Sequence, residues 1–169
     1  MSIDVEKMLD EAVKKMTETY NSINDYAIEI GVIAADNKRT TMNVGINNAE
    51  LMFIHENGSP LRNLPARPVL QLTIEDTLKK LLPNTINRIY DGCFKNSWTK
   101  EQVKKELEKM CLRMQNTARN IIYKSNLLAP NAPSTIKAKG SDRPLLDTGQ
   151  LARSITCRLV LVSSINNSS

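Results

Sequence analysis

Along residues 3–20 the apolar side chains Val5, Met8, Leu9, Ala12, Val13, Met16 and Tyr20 recur at three- and four-residue steps. That spacing predicts one stripe of an amphipathic helix, with Glu, Lys and Asp on the opposite face. Ser2 or Asp4 is placed to cap its start, and Asn21-Ser22 with Asn24-Asp25 ends it. The period then shortens to two. Over 26–34 the residues Tyr26, Ile28, Ile30 and Val32 share one face, and over 40–46 Met42, Val44 and Ile46 alternate with polar neighbours. The polar stretch 35–39 between them has hairpin length, so two antiparallel strands are expected.

Asn48 is read as the cap of a short helix over 49–55 that stops at Asn57-Gly58. A proline-rich loop follows over 59–67. Pro68 stands where a first helical residue belongs, ahead of Leu70, Ile74, Leu78, Leu81 and Leu82. Pro83 lacks the amide donor and clashes one turn back, so it is expected to break or kink that helix, with a further helical piece over 84–90. Thr99 followed by Gln102 matches a capping box. Behind it Val103, Leu107, Met110, Cys111, Met114, Ala118, Ile121 and Ile122 form one face, the clearest helix in the chain. Residues 127–149 carry three prolines, two glycines and few periodic apolar positions, and read as a long loop. A final strand is expected over 154–162, with a polar tail over 163–169. There are no internal repeats.

Length and composition narrow the class. With 169 residues, one domain spanning 1–169 is expected, its N-terminal helix occupying 1–22. The chain has 23 Lys and Arg against 18 Asp and Glu, a net charge of +5 and a pI near 9.2. The excess is mild and spread out, unlike the clustered footprint of a dedicated nucleic-acid binder. Three cysteines without a paired spacing argue against a disulfide framework or a zinc site. No signal peptide and no run of membrane-spanning length is visible, so synthesis as a soluble protein in the cytoplasm is expected.

Few residues suggest chemistry. The single histidine, His55, lies beside Glu56, a pairing that can serve a general base. It equally suits a helix C-terminus, where positive charge is welcome. Cys111 and Cys157 sit at core-like positions. Trp98 near Lys95 and Lys100 offers a stacking surface for a base, but a buried anchor ahead of a helix accounts for it better. Gly140 beside Lys137 and Lys139 lacks phosphate-loop spacing. No nucleophile, base and oxyanion donor assemble, so no enzyme, cofactor or metal is expected.

Two segments read together bring a resemblance. Ile54-His55-Glu56-Asn57-Gly58 is followed by Leu64-Pro65-Ala66-Arg67-Pro68-Val69-Leu70. Ser134-Thr135-Ile136-Lys137 is followed by Gly140-Ser141-Asp142-Arg143-Pro144-Leu145-Leu146-Asp147-Thr148-Gly149-Gln150-Leu151, then Ser154-Ile155. Together they resemble the tail-completion, or virion-morphogenesis, proteins of tailed bacteriophages, over about residues 26–161. Asn57 stands where that family often has an aromatic residue, and Val69 where Phe is common.

The resemblance implies a structural virion protein of the neck or tail terminator, assembled in the host cytoplasm as a homo-oligomeric, typically hexameric, ring at the head–tail junction. Its partners would be the tail-tube protein and the head-side connector or stopper. Genome DNA would pass through the lumen without sequence-specific binding, and no membrane is involved. The competing reading is a basic nucleic-acid-binding accessory protein.

The expected fold is α+β, a small antiparallel sheet packed against several helices, with long exposed loops. Candidate subunit or ring contacts are Glu56, Pro65, Arg67, Lys137, Lys139 and Arg143. Arg67 is expected to project between its prolines, toward a neighbouring subunit or toward Glu75 or Asp76. Gly58 is expected to let the short helix end in a left-handed conformation, Gly149 to permit a tight bend, and Asp147 to cap the turn over 148–151.

Overall fold

The Asp4 carboxylate accepts the Lys7 amide at 3.1 Å and opens helix α1 (Val5–Asn24). In the computed structural model, which describes residues 4–33, 45–124, 126–145 and 148–166, strand β1 (Tyr26–Val32) follows directly. Near the end of the chain β2 (Ile155–Leu161) pairs antiparallel with it, so the C-terminal strand returns to the first one as expected. Arg158 bridges Glu29 across this pair at 2.7 Å. The strand expected over 40–46 falls largely outside the described residues, and Gly45 and Ile46 run in irregular chain.

Helix α2 (Asn48–Asn57) is capped by Asn47 rather than Asn48. The reason is spacing: Glu50 lies three residues after Asn47, and the two exchange reciprocal bonds of 2.9 Å in a full capping box. Helix α3 (Val69–Asp76) leads through a π-helical turn (Thr77–Leu81) into α4 (Leu82–Asn96). Pro83 therefore does not break the helix. It occupies the first turn of α4, and the wider turn before it absorbs the missing donor and the ring clash. Ser97 ends α4 in a left-handed conformation. Thr99 and Gln102 then form the expected box, with the Thr99 amide on the Gln102 oxygen at 2.8 Å, and open α5 (Lys100–Lys124).

The region 127–149 is not wholly loop. Pro133 starts α6 (Pro133–Lys139) and Gly140, at φ 67°, stops it. Seven residues with one exposed apolar side chain, Ile136, leave no stripe for a sequence pattern to show. Helix α7 (Gln150–Ser154) precedes β2, and the expected polar tail begins as a short helix, α8 (Val162–Asn166).

The chain divides into two compact units. The first holds 1–29, 78–111 and 158–169, and its core is Ile89, Cys93, Val103, Leu107 and Met110, with Tyr26, Trp98 and Leu159 against it. Trp98 lies over Gly92, where any Cβ would run into the indole, so the anchor role expected of it stands. The second unit holds 30–77 and 112–157. Its core gathers Met52, Val69, Ala118, Ile122, Leu128, Leu151 and Ile155. All eight apolar positions expected on one face of α5 are buried. Cys93 and Cys111 are buried, Cys157 is half-buried, and none of the three is in a disulfide.

Two departures from ordinary patterning stand out. An amphipathic helix normally turns its stripe inward. In α1 the side chains of Val5, Met8, Leu9, Val13, Met16 and Tyr20 are instead between 53% and 62% exposed, while Thr19 and Ser22 are buried. Those two hydroxyls donate to the Lys15 and Glu18 carbonyls at 2.8 and 2.7 Å, which satisfies them without outside partners. The second departure is Glu106 on α5, only 2% exposed. Its carboxylate meets Arg88 at 3.2 Å and Lys109 at 3.0 Å, both largely in solvent.

Because the two partners stay hydrated, removing Glu106 strands no buried cation. Glu106→Gln is therefore expected to lose about 1.5–3 kcal/mol, the range for hydrogen bonds to charged groups. Glu106→Leu, similar in volume, is expected to come out near neutral or slightly stabilising. Urea unfolding of both variants checks this, and a Leu variant markedly weaker than the Gln variant would contradict it.

Candidate functional site

The two segments that carry the family resemblance lie in the second unit, and the structure joins them through one side chain. Arg67 does not project. It is 4% exposed, and its Nε donates to the Ala129 carbonyl at 2.8 Å. Its Nη2 donates to the Pro130 carbonyl at 2.9 Å and, more weakly, to the Asn131 side-chain oxygen at 3.4 Å. Asn131 in turn donates its amide to the carbonyls of Arg143, at 3.1 Å, and Asp142, at 3.4 Å. A chain of hydrogen bonds thus runs from the Pro-Arg-Pro turn, through the segment ahead of α6, to the loop after it.

Both directions expected for Arg67 are therefore corrected: it reaches neither solvent nor Glu75 and Asp76. Three acceptors lie inward, and a planar guanidinium satisfies several of them from one position. Burial lowers the Arg67 pKa below its usual value, though an arginine remains charged at neutral pH.

The turn that delivers Arg67 is built locally. The Ser59 and Leu64 backbones exchange hydrogen bonds of 2.9 and 3.0 Å around a single 3₁₀ turn (Pro60–Arg62), with Asn63 left-handed. Gly58 ends α2 at φ 72° and ψ −177°, a positive-φ conformation other than the left-handed helical one expected. A Cβ there would lie 2.8 Å from the Ala66 nitrogen and the Leu64 oxygen, so both the dihedral and the close approach call for glycine. The Arg67 amide then donates to the His55 carbonyl at 2.6 Å.

Glu56 is also a structural residue. Its two carboxylate oxygens accept the Leu70 and Gln71 amides at 3.0 and 2.8 Å. This supplies the cap that Pro68 cannot provide at the start of α3, with the negative charge at the favourable helix end.

Across the bond chain, Leu145 is left-handed (φ 61°) yet 8% exposed, a costly conformation for a branched side chain held by core packing. Gly149, at φ 73°, sits where a Cβ would press on the Tyr123 hydroxyl, which fits the bend expected of it. Asp147 lies outside the described residues. Arg119 fastens the following segment, donating to the Arg153 and Ile155 carbonyls at 3.1 and 3.0 Å.

Of the six candidate contact residues, Pro65 and Lys137 are exposed, Arg143 is half-buried and its Nη1 reaches Asn126 at 3.3 Å. The backbone of Lys139 closes α6, and its side chain is outside the described set. Asn131, which completes the bond chain, was not among the candidates. Its one signal in the sequence is an amide between prolines, in Ala129-Pro130-Asn131-Ala132-Pro133.

Among the described residues no group of three or more His, Cys, Asp or Glu is arranged to hold a metal ion. No helix among them is long and apolar enough to cross a membrane. The arrangement is one for holding loops in fixed shape. No protein-family model, curated protein or solved structure matches the chain.

Arg67→Met leaves three oxygens without their donor and is expected to cost about 3–5 kcal/mol. Arg67→Lys is expected to recover little, because a single ammonium cannot span the same acceptors. A double-mutant cycle with Asn131→Ala should give a coupling of about 0.5–3 kcal/mol. Denaturant titration measures all three, and simple additivity of Arg67→Met and Asn131→Ala would mean that the bonds are independent.

Proposed function

We propose that the chain is a structural, non-enzymatic protein of a tailed-phage virion, a neck or tail-terminator subunit that joins the tail tube to the head-side connector as a ring. One observation carries the reading. The two segments resembling tail-completion proteins, with Arg67 62 residues before its first acceptor, converge on one bond network. Segments that resemble a family separately gain weight when they share a purpose in the fold, and here that purpose is to stiffen loops. A loop already fixed in shape loses less entropy when it docks, which suits a subunit whose work is contact with neighbours.

On this reading the docking residues are those left outside the network: Pro65 at the rim of the first turn and Lys137 on the exposed face of α6. Arg67, Glu56 and Asn131 hold the loops from within. The ring places subunits head to tail, so each copy offers two different faces. Localisation to the virion neck, and passage of genome DNA through the lumen without sequence-specific contacts, follow from the same proposal.

The test is electron microscopy of the purified protein alone and with tail tubes. Rings, or caps at tube ends, are the expected result. Lys137→Glu is expected to reduce capping while leaving the unfolding midpoint within experimental error, because the residue has little to lose in the folded subunit. A protein that ignores tubes yet binds DNA with a steep salt dependence would overturn the proposal in favour of a nucleic-acid accessory role.

A further inference from the structure

α1 carries an apolar face that its own fold does not use. We infer that this face is a pairing seam for α1 of a second copy of the chain. The inference stands apart from the neck-protein reading and does not depend on it.

The geometry of the face is that of a two-helix seam. Leu9, Val13, Met16 and Tyr20 follow one another at steps of four, three and four. This is the alternation that keeps knobs on one line when two helices wind about each other. A β-branched residue, Val13, stands at the middle of that line. The four side chains are 61%, 60%, 53% and 59% exposed, and Val5, 62% exposed, extends the patch toward the helix start. From Val5 to Tyr20 the helix rises roughly 23 Å, at 1.5 Å per residue.

As far as Tyr20 the seam is also clear of the helix's internal packing, and the next position along it, Ile23, packs on the first unit's own core. Thr19, Ser22 and Lys15 turn toward the first unit, and their mean direction lies roughly a third of a turn from that of the seam, at 100° per residue. A second helix can therefore lie along the seam without displacing what α1 already holds.

Charge selects the occupant. The positions flanking the seam are Val5, Ala12 and Thr19 on one side and Asp10, Thr17 and Asn24 on the other, so only one of them is charged. Two copies can meet there, parallel or antiparallel, without an acidic row facing another acidic row. A lipid surface fits worse. Interfacial helices carry lysine and arginine beside the apolar face, whereas the acids of α1 (Glu6, Asp10, Glu11 and Glu18) outnumber its lysines (Lys7, Lys14 and Lys15). The same acidic bias disfavours nucleic acid. A second copy needs neither a basic flank nor an unknown partner.

The seam is under three heptads long, so pairing is expected to be weak in dilute solution and to be strengthened wherever other contacts bring copies together. The experiment is analytical ultracentrifugation of the full chain from about 1 µM to 1 mM. It is run on the wild type, on Leu9→Glu/Met16→Glu, on Tyr20→Ser, and on Lys14→Glu from the opposite face. All four positions are largely solvated, and circular dichroism checks that the fold is kept.

The expected result is concentration-dependent association of the wild type and of Lys14→Glu. The double variant should associate at least about tenfold more weakly and Tyr20→Ser to an intermediate degree. A wild type that stays monomeric to the top of the range overturns the inference. So do rings or dimers that survive the double substitution, although those would leave the neck-protein reading intact. Vesicles of anionic and neutral phospholipid form the last arm: binding to them that the double substitution abolishes, in a chain that does not self-associate, assigns the face to membrane and overturns the seam.

Discussion

The second unit depends on the placement of a buried guanidinium. Once Arg67 is enclosed, its donors must find acceptors, and in this protein the acceptors are backbone carbonyls of a segment that has little regular structure of its own. The carbonyls ahead of α6 gain donors that no helix or sheet ladder supplies, and the arginine gains a fixed partner set. Asn131 then passes the constraint to the loop beyond α6. The positive-φ Gly58 and the Glu56 cap on α3 flank the turn that brings Arg67 to that pocket.

The same logic explains what sequence patterning could and could not reveal. α5 was legible because eight apolar residues over twenty positions repeat the helical period, and all are buried. β1 and β2 were legible from alternation. α6 was not, because seven residues between a proline and a glycine show no period. For α1 the pattern identified the helix but not which side the fold uses. Burial of Thr19 and Ser22 depends on hydroxyls closing onto their own carbonyls, and no periodicity analysis weighs that option.

Arg67 illustrates the limit at the candidate site. Its neighbours Pro65 and Pro68 mark a stiff turn, and the resemblance marked the segment, so the residue itself could be found. Its direction could not. The partners are main-chain oxygens, identical at every position, and oxygen acceptors of that kind leave no trace in residue identity. The expectation of a carboxylate partner came from looking for a complementary side chain, which is how ion pairs are recognised in sequence. Glu56 misled in the parallel way: an acidic residue in a loop-rich motif reads as a contact, whereas its carboxylate is committed to two amides of α3.

The two units solve opposite problems. In the second, the donors of the buried Arg67 and Asn131 meet backbone carbonyls, so its loops hold a shape they would otherwise lose. In the first, a core of five buried side chains supports a helix whose apolar stripe stays in water. Exposed apolar patches of that extent ordinarily mark contact surfaces. A protein that only had to be stable would improve by rolling α1 so that Leu9 and Val13 faced inward and Thr19 and Ser22 outward. Hydroxyls that bond within their own helix make the present orientation tolerable, and they leave the apolar side available. Under the two proposals above, stiff loops in one unit and an open helix face in the other are both arrangements whose return would come on assembly, when ordering is already complete and burial is still to be gained.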